Sequence, residues 1–160
     1  GCRRRAQGFR QRLTVPKYTL DTNVFVDALR SPSAAVGLKQ FLARSLSSTW
    51  MSAVVMMELR SGARTPSQVA ELENGLLEPF VRRGRVLVPT SRAFREAGRV
   101  MADLAIPAPE RPRRVPASFV TDILLAVSCR ETGITLVTRD ADFETIARHI
   151  PGLRFLPPWP

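Results

Sequence analysis

The feature that most constrains the fold of this chain is the alternation of short strand-like runs with longer helical runs. The strand-like runs are rich in leucine, β-branched and aromatic residues, and the segments between them repeat apolar residues every three or four positions. Strands joined through helices run parallel and need helices on both faces. The pattern therefore predicts an α/β fold, a three-layer α/β/α sandwich with a central, mostly parallel sheet. The predicted strands are 17–20, 49–51, 85–88, 134–137 and 153–156.

Four segments between these strands have helical periodicity. Residues 118–132 are apolar on most sides, which predicts a buried helix, and Gly133 is well placed to end it. Residues 67–81 give a weaker pattern because Gly75 and Pro79 interrupt it. Two amphipathic helices are also predicted, with these apolar faces: Ala35, Leu38, Phe41, Leu42 and Leu46 in 34–46, and Phe94, Ala97, Val100, Met101 and Leu104 in 91–105.

The chain length and the position of the proline-rich segment predict one compact domain. The chain has 160 residues, close to one domain at roughly 150 residues per domain. Residues 17–160 are expected to form that domain, with a proline-rich basic loop at 107–116. Residues 1–16 carry five arginines and no acid, and they lack an initiating methionine. They are expected to be a basic N-terminal arm that either binds phosphate or is a solvated tail including added residues.

The charge balance indicates a polyanionic partner. The chain has 24 Lys+Arg against 14 Asp+Glu, a net charge of +10, and all but Lys17 and Lys39 of the basic residues are arginines. Arginine pairs bidentately with phosphate, so the surplus favours nucleic acid, although a GC-rich coding bias would produce the same excess. His149 is the single histidine, which excludes a ribonuclease that uses paired histidines and disfavours a Ser-His-Asp hydrolase.

The cysteine count and the hydropathy indicate the cellular compartment in which the protein is expected. Cys2 and Cys129 cannot build a disulfide framework or a four-thiolate zinc site, and Cys129 is expected to be a small core residue. No apolar run approaches the ~20 residues of a membrane span, and no secretory signal is present. A cytoplasmic protein without a membrane partner is expected.

Acidic residues follow two of the predicted strands. Asp21 comes directly after the first strand, and Asp140 and Asp142 come after the fourth. In open α/β sheets the functional groups gather at the carboxyl ends of the strands. Glu58 and Asp122 lie in apolar helical segments without a cation one turn away. A buried carboxylate without a partner costs several kcal/mol, so these acids are paired, exposed or bound to metal.

A shared metal ion accounts most simply for these acids. Mg²⁺ takes one or two carboxylates together with waters and substrate phosphate, and it activates water and neutralises phosphoryl charge. Without four site acids the rest of the chain carries 24 − 10 = +14, which suits a polyanionic substrate around an acidic pocket. Each acid also has a structural alternative, since Asp21, Asp140 or Asp142 could cap a helix and Asp122 could complement a helix dipole. A distant arginine could pair with Glu58.

Three polar neighbours are expected to support the carboxylates: Thr22, Asn23 and Thr138. Asn23 is either a turn residue or a donor that orients Asp21. Thr138 is either a capping hydroxyl or a contact to phosphate or to metal-bound water.

The ordered set of motifs resembles the PIN domain, and in particular the VapC-type toxin ribonucleases of bacterial toxin–antitoxin modules. The matching segments are LDTNVFVDAL around Asp21, MELRSGA around Glu58, Asp122, and TRDADF around Asp140, and the resemblance spans 17–156. It implies a three-layer α/β/α fold, an endoribonuclease dependent on Mg²⁺ or Mn²⁺, a homodimer, and inhibition by a cognate antitoxin. The family's catalytic, metal-binding acids map onto Asp21, Glu58, Asp122 and Asp140, with Asp142 as a further metal ligand.

Substrate RNA is expected to meet four arginines outside the acid set: Arg111, Arg113, Arg114 and Arg139. Three rival functions remain to be weighed. A haloacid-dehalogenase-type phosphatase would need a second aspartate where Asn23 stands and a well-placed lysine, and a topoisomerase-primase domain would have glutamate after the first strand instead of Asp21. A non-catalytic RNA-binding module would not need all four acids. The sequence identifies neither the RNA that is cut, nor the number of metals, nor the antitoxin.

Overall fold

A computed structural model describes residues 15–105 and 117–159 of the chain. The predicted loop 107–116 lies outside the described residues, as does the predicted arm apart from residues 15 and 16. The predictions that concern Arg111, Arg113 and Arg114 therefore find no test in the fold.

Five short strands alternate with helices in the order that the sequence predicts. The strands are β1 (Tyr18–Leu20), β2 (Thr49–Ser52), β3 (Val86–Leu87), β4 (Thr135–Val137) and β5 (Phe155–Leu156). The helices are α1 (Thr22–Arg30), α2 (Pro32–Ser45), α3 (Ala53–Gly62), α4 (Pro66–Leu72), α5 (Glu78–Arg82), α6 (Ser91–Ala105), α7 (Ala117–Thr132) and α8 (Asp142–His149).

The strands form one parallel sheet in the order β3-β2-β1-β4-β5. Strand β1 is central, with Thr19 in register with Trp50 of β2 on one side and with Leu136 of β4 on the other. The chain moves outward from β1 in one direction and then returns to add β4 and β5 on the other side. Because crossovers are right-handed, the two directions place helices on opposite faces of the sheet. The predicted α/β/α architecture is confirmed.

The core lies between the sheet and the helices that flank it. Helix α7 is buried on several sides, with Ile123, Leu125 and Val127 almost inaccessible, as its all-round apolar sequence predicts. Gly133 ends this helix at a φ of +67°, a left-handed conformation that glycine adopts without steric cost. None of the helices in the described ranges combines the length and the apolar character needed to cross a membrane.

The weaker helical prediction for 67–81 is confirmed, and the one for 91–105 needs correction in detail. Residues 66–82 are helical through Gly75 and Pro79, as two α-helices joined by a π-helical segment (Glu73–Leu77), a widened turn that the sequence pattern does not predict. In α6 the predicted apolar face includes Phe94, but this side chain is exposed and Ala93 is buried in its place. Phe94 falls at the margin of the stripe set by Ala97 and Val100 at 100° per residue.

Candidate active site

The strand order reverses between β1 and β4, and the place at the carboxyl ends of these two strands is called the acidic crevice below. In parallel α/β sheets this is the position where ligands bind. Asp21 is the first residue after β1, and its backbone N–H donates to the carbonyl of Val137 at the end of β4 (2.9 Å). Asp21 therefore lies at the crevice, with only 5% of its surface exposed.

Both carboxylate oxygens of Asp21 are fixed by hydrogen bonds. Oδ1 accepts from the backbone N–H of Thr22 (2.7 Å), so Asp21 caps helix α1. Oδ2 accepts from the amide of Asn23 (2.7 Å) and from the hydroxyl of Thr138 (2.7 Å). The capping alternative and the site alternative for Asp21 are thus compatible, because one oxygen serves the helix and the other joins the crevice.

Thr138 links the ends of β1 and β4 through its hydroxyl group. Besides donating to Asp21, this oxygen accepts from the backbone N–H of Asp140 (3.0 Å) and from the Asn23 amide (3.2 Å). The Asp140 carboxylate in turn accepts from the backbone N–H of Asp142 (2.8 Å), whose own side chain is exposed. Thr138 was expected to support the carboxylates, and its hydroxyl does donate to Asp21. Contact of Thr138 with phosphate or with metal-bound water stays a prediction.

Glu58 reaches the crevice from helix α3. This helix begins directly after β2, where the buried Ser52 side chain accepts from the N–H of Val54 (3.2 Å). The carboxylate of Glu58 accepts a hydrogen bond from the hydroxyl of Thr22, the residue that follows Asp21. Thr22 therefore connects Asp21 and Glu58, two acids that are 37 positions apart in the sequence.

Asp122 joins the same electrostatic environment from helix α7. The pKa of its carboxyl group is raised to about 7. Partial burial is the main cause, and the negative charges of Asp21, Asp140, Glu58 and Asp142 contribute to the same rise. The same four acids therefore act electrostatically on Asp122, each of them disfavouring its ionised form.

The pKa of Asp21 is raised for related reasons. Burial is the main cause, and the charges of Glu58 and Asp140 add to it, against the lowering effect of the hydrogen bonds from Thr138 and Thr22. Burial also raises the pKa of the Cys129 thiol, which keeps this core cysteine protonated and unreactive. The site therefore offers carboxylates and hydroxyls as its reactive chemistry.

No cationic side chain of the described residues forms a salt bridge with the central acids. No salt bridge between described residues includes Asp21, Glu58, Asp122 or Asp140. Within residues 15–105 and 117–159, no three His, Cys, Asp or Glu side chains come close enough to enclose a metal ion. Oxygen donors are what Mg²⁺ and Mn²⁺ prefer, and Mg²⁺ takes few protein ligands and keeps several waters. The residues present fit a hydrated divalent ion better than a closed cage.

Two further residues, Asp27 and Trp159, were not predicted from the sequence to lie near these acids. Asp27 lies one helical turn after Asn23 and its carboxylate is 3.5 Å from Nε of Arg139, whose backbone N–H donates to Asn23 (3.4 Å). The spacing from Asn23 could have identified Asp27, since residues four apart share a helix face. Trp159 gave no signal, because only the fold brings the end of the chain to helix α2.

The fold and the acidic crevice together define a class of α/β proteins that carry carboxylates at the carboxyl edge of a parallel sheet. The family model of the PIN domain matches residues 18–149. The chain belongs to the PIN domain family, whose members are nucleases that generally use divalent metal ions. A comparison with curated protein sequences finds no significant match.

Solved structures with the same fold include VapBC and FitAB structures. DNA-bound VapBC from Salmonella typhimurium is 24% identical over 89% of this chain and 98% of its own, with a TM-score of 0.64. FitAcB from Neisseria gonorrhoeae is 21% identical over 89% and 98%, with a TM-score of 0.63. FitAB bound to an IR36 DNA fragment is 19% identical over 89% and 96%, with a TM-score of 0.64. At these identities the similarity establishes the fold.

Proposed function

We propose that this protein is a metal-dependent endoribonuclease that acts in the cytoplasm as the toxin of a bacterial toxin–antitoxin module. The observation that carries the proposal is the hydrogen-bonded connection of Asp21 to Glu58 through Thr22 and to Asp140 through Thr138. The charges of these acids also act on Asp122, and no salt bridge between described residues includes any of the four. Membership of a nuclease family and the fold shared with VapBC and FitAB support it.

Asp21, Glu58, Asp122 and Asp140 are the residues that would hold Mg²⁺ or Mn²⁺, with Asp142 at the exposed margin of the site. When bound, the ion supplies a more acidic water and neutralises charge on the phosphoryl group. The chain itself supplies orientation: Asn23 and Thr138 hold one oxygen of Asp21 in place, and Thr22 holds Glu58. Such supporting hydrogen bonds fix the direction in which ligand oxygens point.

The expected reaction is hydrolysis of an RNA phosphodiester. Water forms the new bond to phosphorus, the bond to the 3′-oxygen breaks, and that oxygen leaves with a proton. The single histidine cannot supply the paired acid and base that attack by the ribose 2′-hydroxyl requires. The products are therefore expected to carry 5′-phosphate and 3′-hydroxyl ends.

The test of this function is cleavage of purified RNA by the purified chain. Mixed transfer and ribosomal RNA should be cut internally in Mg²⁺ or Mn²⁺, and EDTA should stop the reaction until excess metal restores it. End-labelling of the fragments identifies the chemistry at each terminus. Cleavage that continues in EDTA, or RNA that is bound but never cut, would contradict the proposal and favour another chemistry or a non-catalytic binding module.

Exposed apolar side chains support the proposed partners, a second copy of the chain and an antitoxin. Helices α1, α2, α3 and α5 each expose one large apolar side chain, and exposed apolar surface is what a protein partner would cover. The exposed residues concerned are Leu29, Val36, Met57 and Val81. A homodimer is expected, so light scattering at high concentration should give about twice the 17.8 kDa chain mass. A monomer at every concentration tested would contradict the dimer.

Replacing Thr138 by valine is expected to slow RNA cleavage by about 10- to 100-fold, as loss of a residue that orients a metal ligand typically does. Valine keeps the shape of threonine but cannot donate to Asp21 or accept from the N–H of Asp140. Thr135→Val is the matched control, because Thr135 lies on β4, three residues before Thr138, and its hydroxyl makes no described hydrogen bond. Cleavage rates and melting temperatures are measured for both variants. Equal cleavage rates would show that Thr138 has no role in the site.

The basic arm and the arginines outside the acid set are proposed to add phosphate affinity without sequence preference. Binding of RNA should weaken as salt rises, because each phosphate contact releases counterions. If all five arginines in residues 1–14 contact phosphate, deleting that segment lowers the slope of log affinity against log salt by about 3.5. Filter binding with a cleavage-deficient variant measures the slope, and an unchanged slope and affinity would exclude the arm from binding.

A further inference from the structure

A second concave site lies beside the acidic crevice. It is a cavity of about 220 Å³ between the end of helix α1, the start of helix α2 and the C-terminal segment. The lining side chains that matter are those of Asp27, Arg30, Ser31, Arg139 and Trp159. None of the four central acids lines it, so the cavity is separate from the candidate metal site.

The polar lining suits an anion. The guanidinium of Arg30 makes no hydrogen bond or ion pair with any described residue, and that of Arg139 makes only a 3.5 Å contact with Asp27 among them. Ser31 caps the 14-residue helix α2, whose N-terminal N–H groups and dipole also favour negative charge. Two arginines against one aspartate leave the cavity with a net positive charge, and arginine matches the geometry of phosphate.

An aromatic side chain completes the lining. Trp159 stacks on Phe41 at a centroid distance of 5.0 Å and an interplanar angle of 27°. Its indole edge rests on Gly37, where an added Cβ atom would lie 1.8 Å from Nε1. Any larger residue at position 37 would clash with the indole, so glycine is required there. The contacts with Gly37 and Phe41 on helix α2 hold Trp159 in place as one wall of the cavity. Rings held in this way are the usual platforms for unpaired bases.

The cavity is within reach of a nucleotide whose phosphate lies at the acidic crevice. Asp27 is one turn beyond Asn23 on helix α1, about 6 Å along the helix axis. Arg139 stands between Thr138 and Asp140 in the chain, and its N–H donates to Asn23. The same short segments therefore build both sites.

We infer that this cavity binds one nucleotide of a single-stranded RNA next to the bond that is cut, with the base against Trp159 and a phosphate between Arg30 and Arg139. The inference rests on the proposed ribonuclease function and names the part of the protein that positions its substrate. It requires unpaired RNA, because a base inside a duplex cannot reach the indole.

Nuclear magnetic resonance tests this inference without cleavage. The chain has two tryptophans, so a ¹⁵N-labelled sample in EDTA shows two indole N–H signals, which Trp159→Phe assigns. Titration with a short single-stranded oligoribonucleotide should shift the Trp159 signal and leave the Trp50 signal nearly unchanged. A 5′-mononucleotide is titrated separately to distinguish a free nucleotide from a unit of RNA.

Matched variants separate the cavity from general electrostatics. Trp159→Leu is expected to weaken oligoribonucleotide binding about tenfold, whereas Trp159→Phe keeps most of the affinity. Arg30→Gln should weaken it several-fold more than Arg44→Gln, which removes the same charge from an exposed position at the other end of helix α2. Melting temperatures show whether each variant folds.

Each result bears on the inference in a stated direction. An unshifted Trp159 signal, or equal losses for Arg30→Gln and Arg44→Gln, overturns it. Mononucleotide binding without oligoribonucleotide binding overturns it as well, since the cavity would then serve a free nucleotide. RNA cleavage that survives Trp159→Leu with unchanged KM removes this subsite alone. Binding at Trp159 without any cleavage supports the cavity and removes the proposed catalytic function.

Discussion

Replacement of Asp21 by asparagine is expected to reduce RNA cleavage by roughly 100- to 1,000-fold while the protein still folds. The amide keeps the shape of the carboxylate and one oxygen that can accept from the N–H of Thr22, so the cap of helix α1 survives. The other position becomes a donor and faces the donors of Asn23 and Thr138, which costs stability. The variant also removes a buried negative charge and its repulsion by Glu58 and Asp140, both of which raise the pKa of Asp21, and this gain offsets the cost.

Cleavage and melting temperature have to be measured on the same preparation of Asp21→Asn. Glu144→Gln is the control, because it removes an exposed carboxylate close to the last acidic motif. That control should cut at the rate of the unmodified chain. A residue that only caps a helix would give the opposite pattern, a loss of about 1 kcal/mol in stability with cleavage intact. Unchanged cleavage, or fragments with 2′,3′-cyclic phosphate ends, would refute the proposed mechanism.

The second large effect concerns Asp122 and pH in the absence of metal. Its pKa is about 7 in the folded protein, against an ordinary value of 3.8, so folding favours the protonated carboxyl group. The cost of holding it ionised is absent below pH 4, grows between pH 4 and 7, and is complete above pH 7. Asp122→Asn should therefore stabilise the metal-free protein at pH 8, by roughly 1–2 kcal/mol after allowance for solvent screening of a partly exposed group.

Urea unfolding of the two proteins in EDTA at pH 4 and pH 8 measures this difference. The stabilising effect of Asp122→Asn should disappear at the lower pH. Addition of Mg²⁺ at pH 8 should then stabilise the unmodified chain more than the variant, because a bound cation compensates the charge that the variant lacks. A difference that is the same at both pH values would show that Asp122 is not held in a repulsive environment.

Sequence periodicity carried most of the information about the fold. The five strands fall within one or two residues of their predicted limits because each is a short, mostly apolar run followed by a polar residue or a proline. The burial of Ala93 and the exposure of Phe94 were not predictable, since neighbouring positions at the margin of a helical stripe have almost equal claims on the core. The π-helical segment before Pro79 likewise depends on packing that a local pattern does not contain.

The site was predictable in its acids and not in its connections. Asp21 and Asp140 could be expected at one sheet edge because they follow strands, and Glu58 and Asp122 because they lacked partners in apolar surroundings. Thr138 was expected to support the carboxylates, but its two partners, Asp21 and the N–H of Asp140, could not be inferred, because hydroxyl groups serve caps and turns equally well. The assignment of catalytic roles to these acids stays a prediction until the variants are measured.

The hydrogen bond from Thr138 to Asp21 has a consequence for synthesis of the protein, because it joins residues 117 positions apart. A ribosome that has translated the chain through helix α6 has produced two of the four central acids, Asp21 and Glu58, and neither Asp122 nor Asp140. Strands that pair over such a separation also meet slowly. The nascent chain thus passes through a period in which helices α1 to α3 are already available to a partner while the acidic crevice does not yet exist.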